Sequence, residues 1–418
     1  MSIKLSKKVF YAAIIGNILE WYEFALFGYF ATTFSKLFFP SESAYKSIII
    51  TYIVFAMGLL MRPIGAIIFG YIGDRFGSRK ALLYSVSLMT IPTFIIGILP
   101  TYQDIGIAAS ISMVCCRFFQ GIAVGGEFSS SMVYITDNSQ DRRRGFFGSI
   151  VMQSAFIGLF MGSIFGAITN YFAEIYDAET WAWRIPFLSG VVLLIVALFL
   201  RKNMPIIEVD KKKVIVSIRN YLFSFSYIKK ILQMIMLVSL PSMAFYLIFV
   251  YFANFAQQHL NISSFEALSS NSIGIICLII AIPFFGHLSD SIGKGKLYII
   301  GLFCFIIFSC PLFYLLTYSN FYSIAILQCV FAVLIAIVYA PVPAILYSNA
   351  DEEIRCFTVS MTYNVANSIF GASAPAIAEF LIHNYTSYML LAWYLIILSL
   401  LGLVFGLNLL FKKKYLDI

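Results

Sequence analysis

Twelve apolar runs follow one another along this chain, at about 10–34, 48–71, 81–100, 105–134, 146–172, 186–201, 229–256, 270–288, 297–317, 321–347, 357–382 and 388–411. A helix needs ~20 mostly apolar residues to cross the ~30 Å of hydrocarbon in a bilayer, and these runs are of that length. Inside lipid only the chain itself can satisfy backbone N–H and C=O groups, so a spanning segment is either a helix or a strand of a closed barrel. Barrel strands are ~10 residues long and alternate polar with apolar residues; these runs are longer and do not alternate. Composition agrees, with 61% of the 418 residues apolar and 11% charged, where a soluble protein carries about 25% charged residues. A water-soluble globule is excluded, and little chain remains for a soluble domain. The sequence predicts an all-α membrane protein with twelve transmembrane helices.

Charge placement sets the expected orientation. Lys4, Lys7 and Lys8 precede the first run, as in a signal peptide, but Glu20 and Glu23 interrupt it and no small-residue cleavage site follows. The segment reads as a retained first helix. With the N-terminus in the cytoplasm, 23 Lys and Arg residues fall in inside segments and only Lys36 and Lys46 in outside loops. Cytoplasmic loops carry such an excess, so a multi-pass protein of the cell (inner) membrane with both termini cytoplasmic is expected. The same asymmetry accounts for the net charge of +8; the bilayer is the expected partner, and nucleic acid is not. Seven cysteines, most of them in or beside apolar runs, give no disulfide framework and no metal spacing. Neither a metal nor a cofactor is expected.

The longest polar break divides the chain into an N-terminal six-helix half (1–200), a cytoplasmic linker (201–228) and a C-terminal six-helix half (229–418). The halves repeat. GYIGDRFGSRK at 70–80 matches GHLSDSIGKGK at 286–296, and Gly70, Asp74, Gly77 and Lys80 each stand 216 residues before Gly286, Asp290, Gly293 and Lys296. The glycines permit a tight reversal, and the carboxylate can cap or pair with a neighbouring helix end. Repeat-related halves are what alternating-access transporters are built from.

Ionisable residues inside apolar spans are costly and read as functional. On the first helix Asn17, Glu20 and Glu23 recur every third residue and share a face. Glu20 lies roughly 15 Å from the inner end, and Arg117 on the oppositely directed fourth helix roughly 18 Å from the outer end, at 1.5 Å per residue. Gln120 and Glu127 share the face of Arg117. A Glu20–Arg117 pair at equal depth would be broken when a proton reaches the acid, freeing the arginine for another anion. A static pair orienting two helices is the alternative. Arg62 and Arg184 are expected near outer helix ends, snorkelling to the interface, with attraction of an anionic substrate as the alternative. His259, His287 and His383 read as interfacial. Ser154, Gly158, Gly162 and Gly166 read as a close-packing stripe.

Several of these segments resemble a known family. The 70–80 segment looks like the motif between helices 2 and 3 of the major facilitator superfamily, and RFFQGIAVGGE at 117–127 looks like its helix-4 motif. GNILEWYEF at 16–24, WAWRIPF at 181–187 and YNVANSIFGASAP at 363–375 are similar to its metabolite:proton symporters, most of all the proline/betaine members. The resemblance covers essentially the whole chain and implies the major facilitator fold. It also implies an inner gate, for which the candidates are Gly70, Asp74, Arg75, Gly77, Arg79, Lys80 and Glu127, with Asp290 as the second-half counterpart. Glu23 and Ser78 depart from the family's usual Asp and Arg. The chain ends seven residues after Phe411, so osmotic gating by a C-terminal coiled coil is not expected.

The expected function is import of a small polar metabolite by proton symport, with sodium as the alternative coupling ion. Glu20, Glu23 and Arg117 are the candidate coupling residues. Substrate candidates are Asn17, Trp21, Tyr22 and Gln120, with Tyr363, Asn364 and Asn367 on helix 11; aromatics beside acids suit a quaternary ammonium. A proline- or betaine-like zwitterion is the first expectation, and a di- or tricarboxylate or shikimate-type substrate the second. A membrane sensor or receptor without transport is the alternative from another class, but a sensor needs an output domain. No catalytic motif is present, so no catalytic residues are expected and the chain does not read as an enzyme. A monomer is the expected functional unit. Pro241, Pro283, Pro341, Pro343 and Pro375 are expected to bend helices.

Overall fold

The computed structural model describes residues 7–178, 180–191, 195, 224–260, 262–318, 320–385 and 387–410. Lys4, most of the expected linker, the far end of the sixth run and the tail lysines 412–414 lie outside the described residues. Among the described residues the regular structure is helical throughout. The helices are α1 (Lys7–Tyr29), α2 (Ala31–Phe38), α3 (Ala44–Leu60), α4 (Arg62–Phe76), α5 (Ser78–Ile98), α6 (Tyr102–Ile105), α7 (Ile107–Asp137), α8 (Arg144–Ile175) and α9 (184–191). They continue as α10 (Phe225–Phe245), α11 (Phe252–His259), α12 (Ser264–Ile292), α13 (Lys294–Tyr314), α14 (Phe321–Tyr339), α15 (Val342–Asn349), α16 (Arg355–Ala366), α17 (Ala372–Tyr385) and α18 (Met389–Leu410).

Each of the twelve apolar runs is helical over most of its described residues, and the described helix ends differ from the expected ones by a few residues. The interruptions have local causes. Pro63 has no N–H to donate to the preceding turn, so α3 and α4 meet at Met61 within one apolar span, Lys46–Phe76. Pro341 and Pro343 break α14 from α15 within the span Phe321–Asn349, whereas Pro241, Pro283 and Pro375 stay inside helices. Two π-helical segments, Tyr246–Tyr251 and Asn367–Gly371, widen the spans around them. The repeated motif forms the same turn twice, with Gly77 at φ 90° and Gly293 at φ 99° between consecutive helices. Only glycine adopts that backbone without strain.

The chain clusters into two compact units. One takes Lys4–Tyr134 and Ser154–Val214; the other takes Ile135–Gln153 with Ile215–Ile418. Lipid gives no hydrophobic drive for helices to associate, so close packing and hydrogen bonds must hold them together. In the first unit the small-residue stripe of α8 does this against α1. A Cβ on Gly158 would lie 2.2 Å from the Ile18 carbonyl oxygen, and one on Gly162 would lie 2.6 Å from that of Tyr22. An aromatic core, in which Phe27, Phe34 and Phe38 pack with Trp183 and Phe187, fills the space between α1, α2 and the 181–191 segment. In the second unit α12 packs along α14 and α13 along α18. Ile135–Gln153 joins that unit because Gly145 and Ser149 pack against Gly286, and Gln153 Nε2 donates to the Ile279 carbonyl at 2.9 Å.

Candidate functional site

Within the first unit, glycines decide how closely two spans approach. A Cβ on Gly125 of α7 would sit 2.1 Å from the Arg62 carbonyl oxygen, one on Gly121 would sit 2.5 Å from that of Gly58, and one on Gly65 would sit 2.0 Å from that of Ile122. The α3–α4 span and α7 therefore touch backbone to backbone. This contact brings Arg62 beside Arg117, and α1 closes the remaining side with Glu20 and Glu23. The result is a narrow cavity of about 20 Å³ lined by both acids and both guanidiniums.

The polar groups form a chain. Arg117 Nη1 donates to Gln120 Oε1 at 3.0 Å, and Gln120 Nε2 donates to Glu23 Oε2 at 3.2 Å and to Thr93 Oγ1 at 3.0 Å. Thr93 in turn donates to Glu23 Oε2 at 2.5 Å. All four residues are buried. Phe27 lies 3.6 Å from the Arg117 guanidinium carbon and Phe55 5.5 Å from it, so aromatic faces cover what the hydrogen bonds leave. Nε and Nη2 of Arg117 and Oε1 of Glu23 are buried without hydrogen-bond partners among the described residues.

The hydrogen bonds connect Arg117 to Glu23, by way of Gln120, beside the Glu20 that the depth argument chose. Depth alone does not fix the rotation of α1 about its axis; Glu20 is buried and lines the same cavity one turn away. Arg62 is not at an interface. It is 2% exposed, midway along its span, with its guanidinium 5.0 Å from the Trp21 ring centre and 5.7 Å from that of Phe24. Arg184 does lie at a helix start, donating to the Leu99 and Thr180 carbonyls.

The other candidates fall into separate groups. Asn17 is tied to the scaffold by Ser131 (2.9 Å) and Ser154 (3.3 Å). Tyr22 packs in the aromatic core, its hydroxyl donating to the Pro186 carbonyl at 3.2 Å. In the second unit Tyr363, Asn364 and Asn367 are buried; Asn367 Oδ1 accepts from Ser242 at 2.8 Å and its amide donates to the Tyr363 carbonyl at 2.8 Å. Tyr339 and Tyr363 hydroxyls lie 3.5 Å apart.

Among the gate candidates, Gly70, Asp74 and Gly77 are buried. Arg75 donates to the Tyr71 hydroxyl, and Lys80 Nζ lies 5.5 Å from the Phe76 ring. Arg79 is half-buried at the start of α5. Glu127 is fully buried, two turns beyond Gln120 on α7, and accepts from Ser85 Oγ at 2.6 Å. In the second unit Asp290 accepts from the Gly145 and Phe146 amides, both at 2.8 Å, and has Lys294 Nζ at 3.3 Å. It thus caps the positive end of α8, a partner on a distant part of the chain rather than its own turn.

Beside Asp290 is a polar cavity of about 530 Å³ with a cluster the sequence reading missed. The Arg144 and Arg355 guanidiniums lie over the Tyr347 ring at 4.7 and 4.2 Å, the Tyr347 hydroxyl donates to Asp137, and Arg355 Nη1 is 3.6 Å from Asp137. A signal was present. Arg144 and Arg355 each open a helix after a short 3-10 turn that begins with an acid, at corresponding places in the two halves.

A profile of the Major Facilitator Superfamily matches residues 13–375 and, a second time, 234–415. The chain belongs to the Major Facilitator Superfamily. Among major facilitators it is 31% identical over 409 residues to a Staphylococcus aureus protein provisionally named proline/betaine transporter, covering 96% of this chain and 87% of that one. It is 27% identical over 420 residues to the proline/betaine transporter of Escherichia coli K12, covering 96% and 82%. Its fold is that of the proton:xylose symporter XylE bound to 6-bromo-6-deoxy-D-glucose, with a TM-score of 0.76 at 18% identity over 96% of this chain and 95% of that one. This major facilitator is therefore a multi-pass membrane transporter with twelve helices, and its family is not a class of enzymes.

Proposed function

We propose that this major facilitator imports a small zwitterion of the proline/betaine kind with a proton, by alternating access. The observation that carries this reading is the buried Glu23–Gln120–Arg117 chain. A proton on Glu23 removes its attraction for Gln120 and Arg117 and leaves a guanidinium that an incoming carboxylate can satisfy. Relatives named for proline and betaine transport support the substrate class. A di- or tricarboxylate or shikimate-type substrate is a second reading, favoured by the second guanidinium in the same cavity.

In this reading Glu20, Glu23 and Arg117 couple the proton. Asn17, Trp21, Gln120, Tyr363, Asn364 and Asn367 contact substrate, with Tyr22 holding α1 in place. The 70–80 turn, Glu127 and Asp290 work the inner gate, and the cation asymmetry puts both termini in the cytoplasm. Uptake of radiolabelled L-proline and glycine betaine into proteoliposomes is the test. Accumulation is expected with an inward proton gradient, and loss of the gradient-driven part in Glu23→Gln. Accumulation that ignores the gradient and follows sodium instead would overturn proton coupling.

A further inference from the structure

Arg62 is the buried cation to which that reading gives no task. It is 2% exposed, its guanidinium covers the Trp21 ring at 5.0 Å, and its Nε has no hydrogen-bond partner among the described residues. It lines the same cavity as Glu20, Glu23 and Arg117, and these four are the charged residues among those lining it. The groups facing them come from every neighbouring helix: Glu20 and Glu23 from α1, Arg62 from α4, Thr93 from α5, and Arg117 with Gln120 from α7. The α3 helix contributes Phe55 and Gly58, and the 184–191 helix brings Gly190 near Glu23. Cys116 is the adjacent thiol, and Glu127 with Ser85 lies two turns along α7.

Formal charge at this cavity is thus two carboxylates against two guanidiniums. An uncompensated charge in a dry, low-dielectric site is strongly unfavourable. We propose that Arg62 is the fourth member of the coupling site, and that the charge balance it completes admits one proton together with one carboxylate-bearing substrate. A proton on either acid leaves the site one positive charge in excess, and a substrate carboxylate restores neutrality. Each arrival alone leaves a net charge, so the two favour one another without any contact between them. This rests on the proton-symport reading and adds to it the role of Arg62 and a requirement for the carboxylate, since a solute without one gives the proton no counterion. The cavity, at about 20 Å³, has room for one water and not for a solute, so the carboxylate enters the balance when the site opens to receive it. Arg62 lies over the Trp21 ring, so substrate reaches that face only when the site opens, and the carboxylate is the end that the charge balance recognises.

The test uses the full chain in proteoliposomes containing a pH-sensitive dye, with labelled L-proline, glycine betaine and choline as probes. Wild type is expected to accumulate proline or betaine with lumenal acidification, and not choline. Arg62→Gln should cut gradient-driven accumulation at least about tenfold, Arg62→Lys should retain it, and Arg62→Gln combined with Glu20→Gln should regain it by rebalancing the site. Undiminished accumulation in Arg62→Gln overturns the proposal, as does a double variant that inserts normally yet stays as impaired as the single one, or a failed Arg62→Lys. If Arg62→Gln does not insert, the lysine and double variants still decide. Absence of gradient-driven uptake in wild type would instead remove the symport reading, and this inference with it.

Discussion

Gln120 carries the connection between acid and base. It accepts from Arg117 and donates to Glu23 and Thr93, so both ends of its amide are in use. Hydrogen bonds to charged groups contribute about 1.5–3 kcal/mol each. Gln120→Leu keeps the volume and removes both functions; gradient-driven uptake is expected to fall about tenfold or more, with the protein still inserted in the membrane. Uptake within twofold of wild type, measured at matched protein density, would show that the amide is only packing.

Helix contacts set where these side chains stand. Gly121 and Gly125 leave no room for a methyl group against the backbone of the α3–α4 span, and that lack of room is what carries Arg62 to the cavity. Gly125→Ala would place a carbon 2.1 Å from the Arg62 carbonyl oxygen, and backbone cannot yield as a flexible side chain can. The spans must separate, at a cost of about 1–3 kcal/mol. The expected outcome is a lower melting temperature in detergent together with loss of gradient-driven uptake. An unchanged melting temperature would mean that the two spans tolerate separation. The turn glycines Gly77 and Gly293 act differently, since each supplies a positive φ rather than a gap.

At the scale of the whole molecule the sequence assigns 23 of its cations to one side and two to the other. Such an asymmetry orients membrane proteins, and the proposed orientation has the linker and both termini in the cytoplasm. A cysteine at Ser217, in the linker, is expected to react with an impermeant thiol reagent only after cells are permeabilised. Labelling in intact cells would reverse the orientation and move the proposed inner gate to the outside.

Much of this was legible from the sequence alone, because it depends on length and local pattern. A run of ~20 apolar residues must become a helix wherever its neighbours lie, and the runs reappear as helix wherever their residues are described. The 216-residue repeat reappears as two glycine turns with the same backbone, and the stripe of small residues from Ser154 to Gly166 reappears as a seam against α1. What the sequence left open were partners. Equal depth pointed to Glu20 for Arg117; the hydrogen bonds by way of Gln120 run to Glu23, and both acids line the cavity with Arg117. Arg62 looked like an interfacial residue until the glycines of α7 drew its span inward. Asp290 read as a turn cap or a gate, and it caps a helix that begins 146 residues earlier in the chain, at Arg144. Helix period fixes which residues share a face, but only the packing of one helix on another decides what that face meets.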